Sequence, residues 1–153
     1  MPDRRSLRIA FLRPDLGLGG AERLVVDAAK HLQAVGHRVT LFTTHHDPVR
    51  SFEETRDGTL DVRVYGDFLP THLGQRLRAP CTIARMAYLS GAAALSGERF
   101  DLVFCDLVAH ALPIVKCFSR AKILFYCHFP DQRLAPAARW PSPIATRASR
   151  SPM

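Results

Sequence analysis

The 153-residue sequence predicts a doubly wound α/β domain on a parallel, Rossmann-like sheet. Three observations carry that prediction. Compact apolar runs of strand length recur along the chain, stretches of helical period separate them, and a glycine-rich turn joins the first run to the first helix. The length allows one ordinary core without disulfides or a metal. Apolar and charged fractions of 47% and 23% argue for a globular chain, against a disordered, fibrous or multi-span membrane class.

Residues 7–12 (LRIAFL) are the first strand, and Pro14-Asp15-Leu16-Gly17-Leu18-Gly19-Gly20 is the turn after it. From Ala21 the period changes: Leu24, Val25, Ala28, Ala29 and Leu32 share one helical face, Glu22 suits the positive end of the helix dipole, and Gly36 ends the element. Residues 37–44 (HRVTLFTT) are again β-branched and apolar, so the unit is a right-handed βαβ crossover with parallel strands. Residues 60–65 alternate apolar with polar, as in an edge-ward strand. A helical stretch over about residues 72–96 leads to residues 100–105 (FDLVFC), and a shorter one over 108–118, started or kinked by Pro113, leads to 122–129 (KILFYCHF). Both of these runs are continuously apolar, the pattern of strands covered on both faces. The expected domain is therefore 7–131. Residues 132–153, with four prolines and no sustained period, are expected to be a disordered tail rich in Pro and Arg.

The net charge of +7 does not make this a nucleic-acid binder, because Arg133, Arg139, Arg147 and Arg150 lie in the tail, where no acid offsets them. Elsewhere acids and bases alternate, which is ordinary solubility chemistry. Cys81, Cys105, Cys117 and Cys127 form no C-x-x-C pair, and two of them lie in strand runs. They are expected to be core residues of a reducing compartment, neither a disulfide frame nor a zinc site. The first apolar run is too short for a signal-peptide core or a membrane span, so the domain is expected to face the cytosol.

Candidate site residues gather where strands end, the edge at which open parallel sheets bind ligands. Gly17, Gly19 and Gly20 lie between the first strand and the first helix, whose free N–H groups and positive end favour an anion such as a phosphate. The spacing is not G-x-G-x-x-G and no acid ends the second strand, which disfavours a dinucleotide. His128 closes the fifth strand and would emerge at the same edge, as a ligand contact or as a packed ring. Asp15, Glu22 and Asp106 can accept hydrogen bonds from hydroxyls or serve as caps. His45 and His46 point to opposite faces if extended, so a turn made by Asp47-Pro48 is preferred to a metal site. There is no Asp-x-Asp pair for a metal–diphosphate complex, no G-x-x-x-x-G-K-[ST] loop and no G-x-S-x-G elbow, so metal-dependent transfer, nucleotide hydrolysis and serine esterase chemistry lack their parts.

Residues 79–97 are poor in charge except for Arg85. A span would place that guanidinium near the hydrocarbon centre at a cost of about 2.5–3.5 kcal/mol. The alternatives are an amphipathic helix on the sheet and a helix lying on the membrane surface, with Arg76, Arg78 and Arg99 meeting headgroups.

The segments RPDLGLGGAERLVVDAA, FTTHHDP, GDFLP, FDLVFCD and KILFYCHFPD, in this order, closely resemble the amino-terminal domain of the α-1,3/1,6-mannosyltransferases of asparagine-linked glycosylation. These are retaining GT-B enzymes of glycosyltransferase family four, and the likeness covers about residues 7–131. It implies a single amino-terminal half of a GT-B fold and mannose transfer from GDP-mannose to a dolichyl-diphosphate oligosaccharide, with α-1,3 and α-1,6 additions. It also implies location at the cytosolic face of the endoplasmic reticulum membrane and association with other glycosylation enzymes. Carried over, Gly17, Gly19 and Gly20 lie on the donor diphosphate side, His128 is a catalytic residue that contacts the transferred mannose or its leaving environment, residues 79–97 meet the membrane, and no metal or other cofactor is expected. Arg13 departs from the resemblance, standing where the family usually has a histidine before Pro-Asp-Leu-Gly. The family's catalytic cleft lies between two domains, so these residues by themselves are not expected to turn over. A non-catalytic membrane- or partner-binding module derived from such an enzyme is the alternative.

Overall fold

A computed structural model of the chain describes residues 5–70, 78–107 and 109–128. The strands are β1 (Arg8–Arg13), β2 (Arg38–Thr43), β3 (Asp61–Val64), β4 (Leu102–Asp106) and β5 (Lys122–Tyr126). They form one sheet of order β3-β2-β1-β4-β5, and each neighbouring pair is parallel. Helices α1 (Gly20–Ala34), α2 (Arg78–Leu95) and α3 (Leu112–Phe118) make the crossovers. The doubly wound, Rossmann-like expectation holds.

Alternation along the central strands divides the core in two. Ile9 and Phe11 of β1 turn to one face with Val39 and Leu41 of β2, where Val25, Val26 and Ala29 of α1 cover them. Ala10 and Leu12 turn to the other face with Phe42, Val103 and Cys105, under Met86, Leu89 and Ala93 of α2 and Val115 of α3. The period of two in the strands and of 3.6 in the helices thus become the two contact surfaces of one sheet. Fully burying each Phe, Leu or Ile side chain contributes about 1.5–3 kcal/mol, which makes these layers the main support of the fold.

Helix α1 ends as its sequence predicts: the chain turns at Gly36 with φ +97°, a left-handed value that favours glycine. Pro113 falls in the first turn of α3 and so starts that helix rather than kinking it. The expected beginning of α2 near residue 72 and the expected tail at 132–153 lie outside the described residues.

The two-sided cover expected for the fifth strand is not found. β5 is the outer strand of the described sheet, pairs with β4, and leaves Leu124, Phe125 and Tyr126 exposed. Its apolar run marks a sheet strand, of which Ile123 packs against the core layer that contains Val115 of α3. Cys127 is correspondingly exposed, as is Cys117, while Cys81 and Cys105 are buried.

Glu54 holds the β2–β3 connection against α1, 2.9 Å from Lys30 Nζ and 3.1 Å from Arg23 Nη1. Its own backbone N–H and then Lys30 hold its carboxyl at about 2, against an ordinary 4.5. Because the folded value is depressed, the contribution is full above pH 4.5 and disappears as pH falls towards 2. The Glu54→Gln variant should therefore lose less stability than the parent over that interval in urea unfolding curves; parallel acid limbs would contradict the assignment.

Candidate functional site

Strand order reverses between β1 and β4, the point where parallel sheets open a ligand crevice at their carboxyl ends. Arg13 is the last residue of β1 and Asp106 the last of β4, and the Leu12–Cys105 register sets them side by side. Both are buried, at 3% and 1% exposure. The Arg13 guanidinium donates through Nη1 to Asp106 Oδ2 and through Nη2 to Glu22 Oε1 at 2.5 Å. Its Nε donates to the Asp15 carbonyl at 2.8 Å, and Nη1 also reaches the Ala21 carbonyl at 3.4 Å. One side chain thereby ties the end of β1 to β4, to the glycine turn and to the first turn of α1.

His128 joins the cluster from the end of β5. Its Nε2 lies 2.9 Å from Asp106 Oδ1, and its ring stands edge-on to Tyr126 with centroids 4.7 Å apart. The two atoms lack hydrogen-bond alignment, so both are buried without a hydrogen-bond partner. Buried polar atoms left so are uncommon, and at a strand-end crevice they are where a substrate hydroxyl can bind. Just after Asp106, Leu107 takes φ +71°, which costs a side-chain-bearing residue about 1–2 kcal/mol and marks a backbone held by its surroundings. Its N–H donates to the Tyr126 carbonyl at 3.2 Å.

Room for a neighbour accounts for one glycine of the turn. None of Gly17, Gly19 and Gly20 needs a left-handed backbone. Gly19 is the extended N-cap of α1, and a Cβ there would meet Glu22 Oε2 at 2.1 Å, so its lack of a side chain makes room for the carboxylate held by Arg13. Gly17 would make only an ordinary contact, and Gly20 faces open space. No side chain caps the first N–H groups of α1, which leaves them available to an anion. The one guanidinium and two carboxylates of Arg13, Glu22 and Asp106 sum to −1, so a diphosphate bound here needs cations from other residues.

The histidine pair diverges, as expected of adjacent residues. His45 Nδ1 is 2.7 Å from Asp67 Oδ1, and His46 Nε2 is 3.0 Å from Thr55 Oγ1. Burial foremost, then the neighbouring His45, keeps the His46 pKa below the usual imidazole value. Asp47 Oδ1 accepts from the Val49 N–H at 2.8 Å, forming the turn. Among the described residues no group of His, Cys, Asp and Glu is arranged to hold a metal ion. Burial raises the Cys105 thiol to about 11, which suits a core residue.

Helix α2 covers the sheet, the first of the two alternatives for residues 79–97, and carries Arg85 on its buried side. Arg85 is 6% exposed and turned inward, where Nη2 donates to the Thr44 carbonyl at 2.8 Å, so it does not face a membrane. The outward side of α2 instead shows Ile83, Tyr88 and Leu95, with Phe68 edge-on to Tyr88. Among the described residues no helix is long and apolar enough to cross a membrane.

Sequence reasoning marked Glu22, Asp106 and His128 one by one and missed that Arg13 joins them. The available signal was a charge closing an otherwise apolar strand run.

Residues 18–152 match Glycosyltransferase Family 4. The chain belongs to that family. It is 51% identical over 131 residues to the α-1,3/1,6-mannosyltransferase ALG2 of Rhizomucor pusillus, covering 85% of this chain and 29% of that protein. It is 48% identical over 142 residues to the enzyme of the same name from Candida glabrata (92% and 31%) and 46% over 138 residues to that of Saccharomyces cerevisiae (89% and 27%). The chain thus spans roughly three tenths of these relatives' length. Its fold is similar to that of the catalytic domain of starch synthase IV from Arabidopsis thaliana, with TM-score 0.61 and 19% identity over 81% of this chain and 34% of that one. The C-terminal domain of PF1911 hydrogenase from Pyrococcus furiosus shares it at TM-score 0.57 and 18% identity, over 82% and 95%. At such identities the likeness shows the fold, a Rossmann-like half of GT-B type, and nothing of the chemistry. Membership of a glycosyltransferase family favours an enzyme over a non-catalytic module.

Removing Arg13 leaves Asp106 buried and uncompensated, so Arg13→Met should cost about 3–5 kcal/mol in chemical denaturation, and adding Asp106→Asn should recover part of it. A neutral Arg13→Met would mean that the cluster does not hold this edge.

Proposed function

We propose that the chain is the acceptor-side half of an α-1,3/1,6-mannosyltransferase, which moves mannose from GDP-mannose to a dolichyl-diphosphate-linked oligosaccharide in asparagine-linked glycosylation. The observation that carries this reading is the identity of about half the residues, over most of the chain, to transferases whose names state that linkage chemistry. The geometry of the sheet edge supports it.

In this reading the uncapped first turn of α1 and the Gly17, Gly19 and Gly20 backbone approach the donor diphosphate, an anion suited to a helix start. His128 contacts the transferred mannose. Asp106 Oδ1 lies 2.9 Å from its Nε2, and a sugar hydroxyl takes up these two buried atoms, neither of which has a hydrogen-bond partner. Arg13 and Glu22 hold these groups in register, so that positioning is supplied before substrate arrives. Cations for the diphosphate come from the facing half of the cleft, in keeping with the net negative charge of the cluster. No metal or other cofactor is assigned, since the sequence lacks an Asp-x-Asp pair. The uncharged outward face of α2, with Ile83, Tyr88 and the neighbouring Phe68, lies on the cytosolic surface of the endoplasmic reticulum membrane and brings the cleft to its lipid-borne acceptor.

Three measurements check the reading. Incubated with GDP-mannose and lipid-linked acceptor, these 153 residues should give negligible transfer by themselves and measurable transfer when a family second domain is supplied in trans; no transfer under either condition would reject the proposal. Because a Cβ at residue 20 meets nothing within 4 Å, Gly20→Ala should leave stability unchanged yet lower transfer by about tenfold or more. Unchanged transfer would remove the donor from the helix start. Tyr88→Glu, on the outward face of α2, should reduce flotation with anionic liposomes, and equal flotation would remove the membrane from that face.

A further inference from the structure

Arg85 is a buried cation in search of an anion. Its side chain lines a pocket of about 180 Å³ with Pro14, Asp15, Thr44, His45 and Thr82, at the carboxyl ends of β1 and β2. The residue is 6% exposed, and no carboxylate of the described residues lies within 4.0 Å of it. Nη2 is satisfied by the Thr44 carbonyl at 2.8 Å, whereas Nε is buried without a hydrogen-bond partner. Buried guanidinium groups are ordinarily paired with carboxylate or phosphate, because an isolated charge loses hydration that nothing repays. Asp15 shares the pocket but stands beyond ion-pair distance, so it does not neutralise Arg85.

We propose that Arg85 binds the diphosphate of the lipid-linked acceptor, a deepening that rests on the mannosyltransferase reading. The planar fork of Arg suits phosphoryl oxygens, and the pocket opens beside it. Its location separates it from the donor by sheet face: the helix that carries Arg85 packs on one face of the sheet and α1 on the other, with Pro14 and Asp15 of the glycine turn between the two. On the helix that carries it, Tyr88 lies one turn on from Arg85, beside it and half exposed, so a lipid whose tail rests against Tyr88 brings its diphosphate to the Arg85 pocket. Asp15 and His45 then flank the phosphates where hydroxyls of the first sugar need acceptors and donors.

The test is calorimetric titration of the 153-residue chain with geranyl diphosphate, geraniol, inorganic pyrophosphate and GDP-mannose, alongside melting temperatures. The parent should bind geranyl diphosphate and not geraniol, with pyrophosphate competing. Arg85→Met should weaken that binding about 10–100-fold and leave the response to GDP-mannose unchanged. Arg85→Lys, which keeps the charge without the fork, should fall between, and it carries the test if the Met variant does not fold. No binding of geranyl diphosphate by the parent, equal affinity for geraniol, or a folded Arg85→Met with undiminished affinity would overturn the assignment. So would an Arg85→Met that lowers the melting temperature and spares affinity, the outcome of a strut to Thr44. If the prenyl diphosphate binds through Arg85 while no mannose transfer is found, the pocket stands and the enzymic reading fails; transfer with Arg85-independent binding rejects the pocket alone.

Discussion

Arg13 leaves the end of the central strand with a charge that water barely reaches, and the surrounding structure is arranged to answer it. Asp106 and Glu22 share the guanidinium, while the carbonyls of Asp15 and Ala21 take its remaining donors. Three separate pieces of chain are thereby tied at the place where the sheet changes direction. A buried pair of this kind is poor evidence for net stability against an apolar substitute, yet it fixes geometry, since removing either partner strands the other. The left-handed Leu107 immediately after Asp106 fits a backbone held by its neighbours rather than by its own preference.

That arrangement gives the glycine turn its meaning. Gly19 makes room for the Glu22 carboxylate, and Glu22 is drawn there by Arg13. The N–H groups at the start of α1 stay without a side-chain cap beside a carboxylate already engaged. The edge can therefore orient an anion but does not supply the charge to hold one firmly, as befits one wall of a cleft.

Helix α2 divides two environments. Its inward side packs Met86, Leu89 and Ala93 on the sheet and buries Arg85 near the ends of β1 and β2. Its outward side carries exposed apolar residues, with Tyr88 against Phe68. An exposed apolar residue and a buried cation one turn apart on one helix fit a ligand that is itself divided into tail and phosphate.

Much of this protein was legible in its sequence because strands and helices impose different periods on apolar residues. LRIAFL, HRVTLFTT and FDLVFC foretold three strands and Gly36 the end of α1, while Pro113 left a start or a kink open until α3 was packed. The family was legible too, since its segments keep their order along the chain. Local pattern did not reveal that the run at residues 122–126 would lie at an outer position, because the same apolar residues serve a covered strand and an uncovered one. Nor did it reveal that Arg13, Glu22, Asp106 and His128 meet, or that Arg85 turns inward. Charges separated by up to 115 positions are brought together by strand order and helix rotation, which are properties of the packed sheet rather than of any segment within it.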